Sequence, residues 1–318
     1  MPPTPHSPPK IGLALGSGGA RGWAHIGALR RLSELGVHPH CIAGTSAGAI
    51  AAALYASDSL DTMEELASNL DWRQVAQLFL EVNFPRSGLL TGKNVMKMLK
   101  SIIRVRAISS LRIPYAAVAT DLETEKEMVL LSGNLSDAIR ASIGIPGIFT
   151  PTRISGHNLV DGGLVNPLPV SVCRAMGADL VIAVDVNLRA SAPTRKQAVM
   201  PHPSDPPQSI SKLLASLSKL MPQRSTPASK ASHRWISPQK NESDNLSIFD
   251  VLTRSFRLVE NQITRRELAL NPPDILIQPE VGDIMTLEFH RGPEAIAAGV
   301  RAVNEVLPQL QKLLHSNS

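Results

Sequence analysis

The sequence is short of aromatic side chains and of cysteine. Aromatics make up 3% of its 318 residues, too few for a surface that stacks nucleic-acid bases. Two cysteines, Cys41 and Cys173, exclude a disulfide-stapled scaffold and a four-cysteine zinc site. Long apolar runs are lacking too. The longest, Ala49 to Ala56, is far shorter than the ~20 residues that a membrane-spanning helix needs. Met1 to Lys10 is Pro-rich without an apolar stretch, so no secretory signal peptide is expected. Residues 1–10 are expected to form a disordered tail, and the expected setting is cytoplasmic and reducing.

What the chain does have is 43% hydrophobic and 19% charged residues, enough to bury a substantial core. Its net charge is +5, unevenly spread. Arg189 to Lys240 holds nine Lys/Arg and one acid, Asp205, a local +8, which leaves 5 − 8 = −3 for the remainder. With eight prolines and many serines in that stretch, residues 189–245 read as a flexible insert. Within it Ile210, Leu213, Leu214, Leu217, Leu220 and Met221 recur on one helical stripe, predicting an amphipathic helix over 209–221. A basic amphipathic helix suits an anionic membrane surface, so peripheral membrane association is one expectation and packing on the domain the other. Nucleic acid is not an expected partner: the insert has one aromatic, Trp235, and no base-reading motif.

Elsewhere short β-rich runs alternate with helical patterns. Ile11–Leu15, Cys41–Ala43, Tyr115–Ala119, Met128–Leu131, Leu180–Val184 and Ile275–Ile277 predict strands. Gly19–Leu35, Ala47–Ala56, Thr91–Leu99, Ser136–Ala141, Pro169–Met176, Phe249–Leu270 and Pro293–Leu314 predict helices. Strands separated by helices indicate an α/β fold with a mostly parallel sheet. Residues 11–188 are expected to form the core and 246–318 to complete it.

Three motifs carry chemistry. Gly44-Thr45-Ser46-Ala47-Gly48 is a G-x-S-x-G pentapeptide between a strand and a helix, the setting of a nucleophile elbow. Its glycines let strand and helix approach closely, and the serine lies at a helix N-terminus that favours negative charge. A plain Ser/Gly turn that caps a helix fits the same letters. Gly16-Ser17-Gly18-Gly19-Ala20-Arg21-Gly22 follows a strand and offers a nest of main-chain donors for an anion. Arg21 stands where a dinucleotide fingerprint requires glycine, and no G-K-[ST] ending is present, so an oxyanion gains over a nucleotide phosphate. Asp161-Gly162-Gly163 puts a carboxylate at a strand end beside glycines; taken alone it is a turn.

In this order the three motifs resemble the patatin-like phospholipase family, in its bacterial and neuropathy-target-esterase-like branch. Gly22-Trp23-Ala24-His25-Ile26-Gly27, Ala119-Thr120-Asp121-Leu122-Glu123-Thr124 and Arg140-Ala141-Ser142-Ile143-Gly144-Ile145-Pro146-Gly147-Ile148-Phe149 agree with it, so the resemblance runs from Ile11 to Val184. One departure is Gly163, where many members have Ala. The resemblance implies a three-layer α/β/α sandwich and hydrolysis of lipid acyl esters without metal or cofactor. It implies a Ser46–Asp161 dyad in which Ser46 forms an acyl-enzyme and Asp161 takes its proton. The expected oxyanion donors are the N–H groups of Gly18 and Gly19, with Ala47 as a further candidate. Gly16, Arg21, Gly22, Gly44, Gly48, Gly162 and Gly163 support the motifs.

A Ser–His–Asp triad has little to build on. In the chain order of α/β-hydrolases the histidine follows the acid, and only His202, His233, His290 and His315 follow Asp161. His25 and His157 are expected to be structural or exposed. Arg21 is expected to hold the glycine loop in shape through carboxylate or carbonyl contacts rather than touch a substrate phosphate. The expected partner is a lipid or ester substrate. The competing reading keeps the fold but makes the chain a catalytically silent regulator or adaptor that acts through its basic insert.

Overall fold

The computed structural model describes residues 9–79, 90–187 and 248–315. The basic insert and its predicted helix at 209–221 lie outside the described residues. Among the described residues eight strands form one mixed sheet: β1 (Ile11–Leu15), β2 (Cys41–Thr45), β3 (Tyr115–Asp121), β4 (Lys126–Leu130), β5 (Thr152–Ile154), β6 (His157–Asp161), β7 (Leu180–Val184) and β8 (Ile275–Ile277). The order is β5-β6-β3-β2-β1-β7-β8, with β4 paired to β3. Neighbours from β3 through β8 are parallel, whereas β4 and β6 run antiparallel to β3.

Side-chain alternation sorts the central strands onto two faces. Leu13 and Leu15 of β1, Ile42 of β2 and Ile182 and Val184 of β7 enter the larger core. Helices α1 (Trp23–Glu34), α2 (Ala47–Ala56), α3 (Leu60–Asn69), α4 (Trp72–Phe79), α5 (Lys93–Ile102) and α6 (Leu135–Ser142) contribute to that core. Ala14, Cys41, Ala43, Val181 and Ala183 point the other way, into a smaller core with Val172 and Cys173 of α7 (Val170–Ala175). A sheet covered on both faces accounts for strands that read as nearly continuous apolar runs. Three further helices follow: α8 (Ile248–Leu270), α9 (Gly292–Glu305) and α10 (Leu307–His315).

The register around β3 sets the site. Thr45 of β2 pairs with Val118, and Asp161 of β6 pairs with Ala119. Residues 117–121 of β3 pair with β4 on the opposite edge, so β2 and β6 share an edge of β3. β6 begins to pair where β2 leaves, which brings Ser46 and Asp161 to one point of the sheet.

Four elements differ from the sequence pattern. The single helix predicted over 293–314 divides at Val306. Pro308 has no N–H to continue the α9 ladder but fits the first turn of a new helix. The short helices α3 and α4 and the three-residue strand β5 were not among the predicted elements. No described helix, the 23-residue α8 included, is long and apolar enough to cross a membrane.

Helices α1 and α9 make the most extensive helix contact, and glycines permit it. A Cβ at Gly299 would overlap the carbonyl oxygen of Ala24, and one at Gly27 the carbonyl oxygen of Ile296. Alanine would gain ~1 kcal/mol of helix propensity at Gly299, against ~1–3 kcal/mol for forcing the helices apart. With backbone as the obstacle, overpacking wins: Gly299→Ala is expected to lower the thermal midpoint by several degrees in a denaturation scan, and an unchanged midpoint would show that the helix pair yields.

Candidate active site

Ser46 sits between β2 and α2 with φ 55° and ψ −119°. Positive φ is costly for a residue with a Cβ, and such strain persists only when the surroundings impose it. Here the flanking glycines allow it: a Cβ at Gly44 would overlap the carbonyl oxygen of Gly48, and one at Gly48 that of Leu15. The Ser46 N–H donates to Ser142 Oγ at 2.9 Å, and that hydroxyl donates to Val118 O at 2.6 Å. The result is a serine hydroxyl held at the first turn of α2.

The hydroxyl donates to Asp161 Oδ2 at 2.6 Å. The other carboxyl oxygen of Asp161 accepts from the Gly163 N–H at 2.9 Å. Asp161 is fully buried, Ser46 nearly so. Its main chain is fixed by the Thr120 hydroxyl, which donates to Asp161 O, and by its own N–H, which donates to Gly144 O. Burial pushes the Asp161 carboxyl up to about 8, the nearby Glu260 carboxyl acts in the same direction, and the bonds from Ser46 and Gly163 oppose them. Desolvation outweighs two hydrogen bonds because the charged form has lost its water.

The glycine loop lies alongside. Among the described residues the N–H groups of Gly18, Gly19 and Ala47 have no hydrogen-bond acceptor. Ala47 is the first residue of α2, where an N–H has no intrahelical partner. Gly19 adopts φ 57°, and a Cβ there would come 2.6 Å from Thr286 O. Arg21 is 1% exposed and grips the loop from beneath. Its guanidinium donates to Asn187 Oδ1 and to Ile284 O, while Asn187 Nδ2 donates to Ser17 O. Burial lowers Arg21 to about 10, and its donors face protein acceptors rather than a substrate phosphate.

Two cavities meet at Ser46, sharing Gly19, Ile145 and Thr286 in their walls. The larger, with about 890 Å³ of empty space that includes its opening to solvent, runs between α2, α3, α4 and α5 over Ile50, Leu54, Leu78, Met98 and Phe149. Among the described residues its walls carry polar side-chain groups only at Ser46, Thr286 and the Trp23 indole. The segment between Leu60 and Arg104 thus contributes walls of an apolar cavity. The smaller, about 280 Å³, lies toward Arg21, Thr253, Phe256 and Glu260.

Neither motif histidine bonds to Ser46 or Asp161. His25 is fully buried, bonds Gly16 O through Nε2 at 2.7 Å, and is lowered by burial to about 4. His157 bonds Asp121 through Nδ1 at 2.9 Å. Asp121, Glu123 and His157 form the one group of ligand-type side chains found among the described residues. Their mutual bonds, and those to Thr124 and Asn158, already use these atoms. Sequence reasoning missed Glu260, Asn187, Thr286 and the role of Ser142. Glu260 left a trace: with Phe256 and Thr264 it falls at i, i+4, i+8 on the inward stripe of α8, where an acid is out of place.

Asp161 has a consequence for stability. A carboxyl that binds its proton more tightly in the fold than in the unfolded chain contributes stability fully below the unfolded value, near 3.8. That contribution is lost as pH rises through about 8. Asn at this position keeps the shape and stays neutral. The thermal midpoint of Asp161→Asn is therefore expected to exceed that of the wild type by more at pH 9 than at pH 5; a gap independent of pH would contradict the assigned cause.

Known proteins resemble the chain that carries this arrangement. A model of the patatin-like phospholipase family matches residues 13–174, which include Ser46 and Asp161. An uncharacterized NTE family protein of Mycobacterium tuberculosis is 32% identical over 95% of this chain and 92% of its own. Patatin-like phospholipase domain-containing protein 7 of Mus musculus is 36% identical over 56% of this chain and 14% of its own. The solved structure of VipD from Legionella pneumophila aligns with a TM-score of 0.46 at 15% identity, covering 98% of this chain and 67% of that one. With a family match over half of its length and a full-length relative, the chain belongs to the patatin-like phospholipase family, and so to a family of lipid ester hydrolases.

Proposed function

We propose that the protein is a serine acyl-ester hydrolase of the phospholipase or lysophospholipase type, working through Ser46 and Asp161 by way of an acyl-enzyme. The observation that carries the reading is the 2.6 Å bond from a strained serine hydroxyl to a fully buried carboxyl. An ordinary aspartate, with a value of ~3.9, is a poor base for a hydroxyl. At about 8 the mismatch is smaller by several powers of ten, and the carboxyl becomes a competent acceptor.

In the first step Ser46 Oγ bonds to the ester carbonyl carbon as its proton passes to Asp161. The carbonyl oxygen becomes an oxyanion that accepts from Gly18 and Gly19, with Ala47 available as a third donor. Donors of this kind are worth ~3–4 kcal/mol each, and the N-terminus of α2 adds in the same sense. The tetrahedral centre collapses, the C–O bond to the alcohol breaks, and Asp161 returns the proton to the leaving oxygen. Water then attacks the acyl-enzyme, gives its proton to Asp161 and releases the acid, and Asp161 reprotonates Ser46. The apolar cavity suits the acyl chain, since its walls are almost wholly hydrocarbon. The small cavity on the other side of Ser46 suits the leaving alcohol.

Hydrolysis of p-nitrophenyl esters and lysophospholipids by wild type, Ser46→Ala and Asp161→Asn tests the reading. Both variants are expected to lose at least ~100-fold in kcat/KM, and full turnover in both would refute the site. Because Asp161 must be ionised to accept a proton, kcat/KM of the wild type is expected to rise with pH and level off above about 8. A limb near pH 4 would rule out the buried-base account. A silent adaptor predicts no label at Ser46 from a fluorophosphonate probe.

Chain length tests the cavity assignment. Met98 lines the large cavity from α5. Met98→Trp is expected to leave hydrolysis of an acetyl ester within about twofold. Hydrolysis of a palmitoyl ester should fall ~10–100-fold, since each excluded methylene forfeits ~0.8 kcal/mol. Equal effects on both esters would place the acyl chain elsewhere.

A further inference from the structure

Glu260 is a buried acid that none of the steps above uses. It comes from α8, beyond the residues 13–174 that match the family, and is 4% exposed. Ser17, the residue before Gly18, is close enough to favour its charged form. One of its carboxyl oxygens occupies the space that a Cβ at Gly163 would need, and Asp161 Oδ1 lies 3.2 Å from that same point. The two carboxyls therefore flank one glycine. Glu260 also lines the small cavity together with Gly18, Gly19 and Ser46.

The charged neighbours of Glu260 come from four elements: Arg21 of the glycine turn, Arg257 of α8 itself, Asp185 after β7 and Asp161 of β6. Neither arginine forms an ion pair with it among the described residues. Arg21 donates to Asn187 and Ile284, and Arg257 donates to Gly282 O. Glutamine at this position would keep the length of the side chain and an acceptor oxygen. What glutamine cannot supply is a negative charge beside Asp161.

We infer that Glu260 is a positioning residue of the Ser46–Asp161 pair: its carboxylate, held across Gly163, strengthens Asp161 as acceptor of the Ser46 proton. The inference rests on the dyad reading above. Burial raises Glu260 to about 7, close to the range of Asp161, so the two carboxyls titrate as an interacting pair. Replacing Glu260 by a neutral group removes a like charge, and Asp161 then loses its proton at lower pH.

The test is a titration of Asp161 itself, by carbon-13 NMR of protein labelled at the aspartate carboxyl, with the Asp161 signal identified by its loss in Asp161→Asn. In Glu260→Gln the Asp161 midpoint is expected to move to lower pH. The acid limb of kcat/KM for p-nitrophenyl butyrate should move with it, and the plateau should fall about tenfold because the base is weaker. Glu260→Asp, which keeps the charge, is expected to hold the limb nearer its wild-type position. An unmoved Asp161 midpoint in a Glu260→Gln protein that still hydrolyses the ester would overturn the inference alone. Should Glu260→Gln fail to fold, the wild-type curve decides. Two inflections at Asp161 support the coupling, and a one-site curve overturns it. A wild type that neither hydrolyses the ester nor labels at Ser46 would instead overturn the dyad reading, and the inference with it.

Discussion

A dry carboxyl is the constraint on which the site depends. Asp161 has no exposed surface and two hydrogen-bond donors, Ser46 and Gly163. Two bonds do not replace the water that a carboxylate loses on burial, so the group holds its proton far above the ordinary range. In the proposed reaction the same burial that costs stability in alkaline solution supplies the Ser46 hydroxyl with a base it can use. A surface aspartate in the same bond would be too weak an acceptor.

The sheet supplies the placement. Ser46 and Asp161 meet because β2 leaves and β6 joins the same edge of β3, at the neighbouring registers Val118 and Ala119. Ser142 ties the arrangement together, since its hydroxyl receives the Ser46 N–H and binds Val118 O. Small residues keep these backbones close, as at Gly162, where a Cβ would strike Val118 O. On the far side of β1, Arg21 and Asn187 bind the glycine loop to the chain that follows β7. The site is thus assembled from strand ends and helix starts, where main-chain donors are unpaired and rigid elements fix their direction.

Much of this was legible in the sequence. The strands β1, β2, β3, β7 and β8 are short apolar runs, and the three glycine-bounded motifs stand where strand gives way to turn. Motif order carried the family resemblance, and the fold followed from alternating strands and helices. The antiparallel entry of β6 was less legible, because β5 has three residues and β6 mixes polar His157 and Asn158 with buried Leu159 and Val160. Helices α3 and α4 escaped because each buries few residues, Met63 and Ala67 in one and Val75 in the other, so the apolar stripe is thin. Glu260 escaped because the fold brings it to the site from a separate segment, 99 positions beyond Asp161 (260 − 161). No local motif marks it. Only an acid on the inward face of a helix did so.

The apolar cavity and the polar one divide the surroundings of Ser46 by chemistry: hydrocarbon walls on one side, Arg21, Glu260 and threonine hydroxyls on the other. In the proposed reaction that division serves the acyl and alcohol halves of an ester, which differ in the same way. The most direct test of the central claim needs no substrate: the rate at which a fluorophosphonate forms its adduct, followed against pH and located by peptide mass. The account predicts a single adduct at Ser46, forming faster as pH rises until about 8, with Asp161→Asn slow at every pH. An adduct on another residue, or a rate at Ser46 that ignores both pH and the loss of the Asp161 carboxylate, would contradict it.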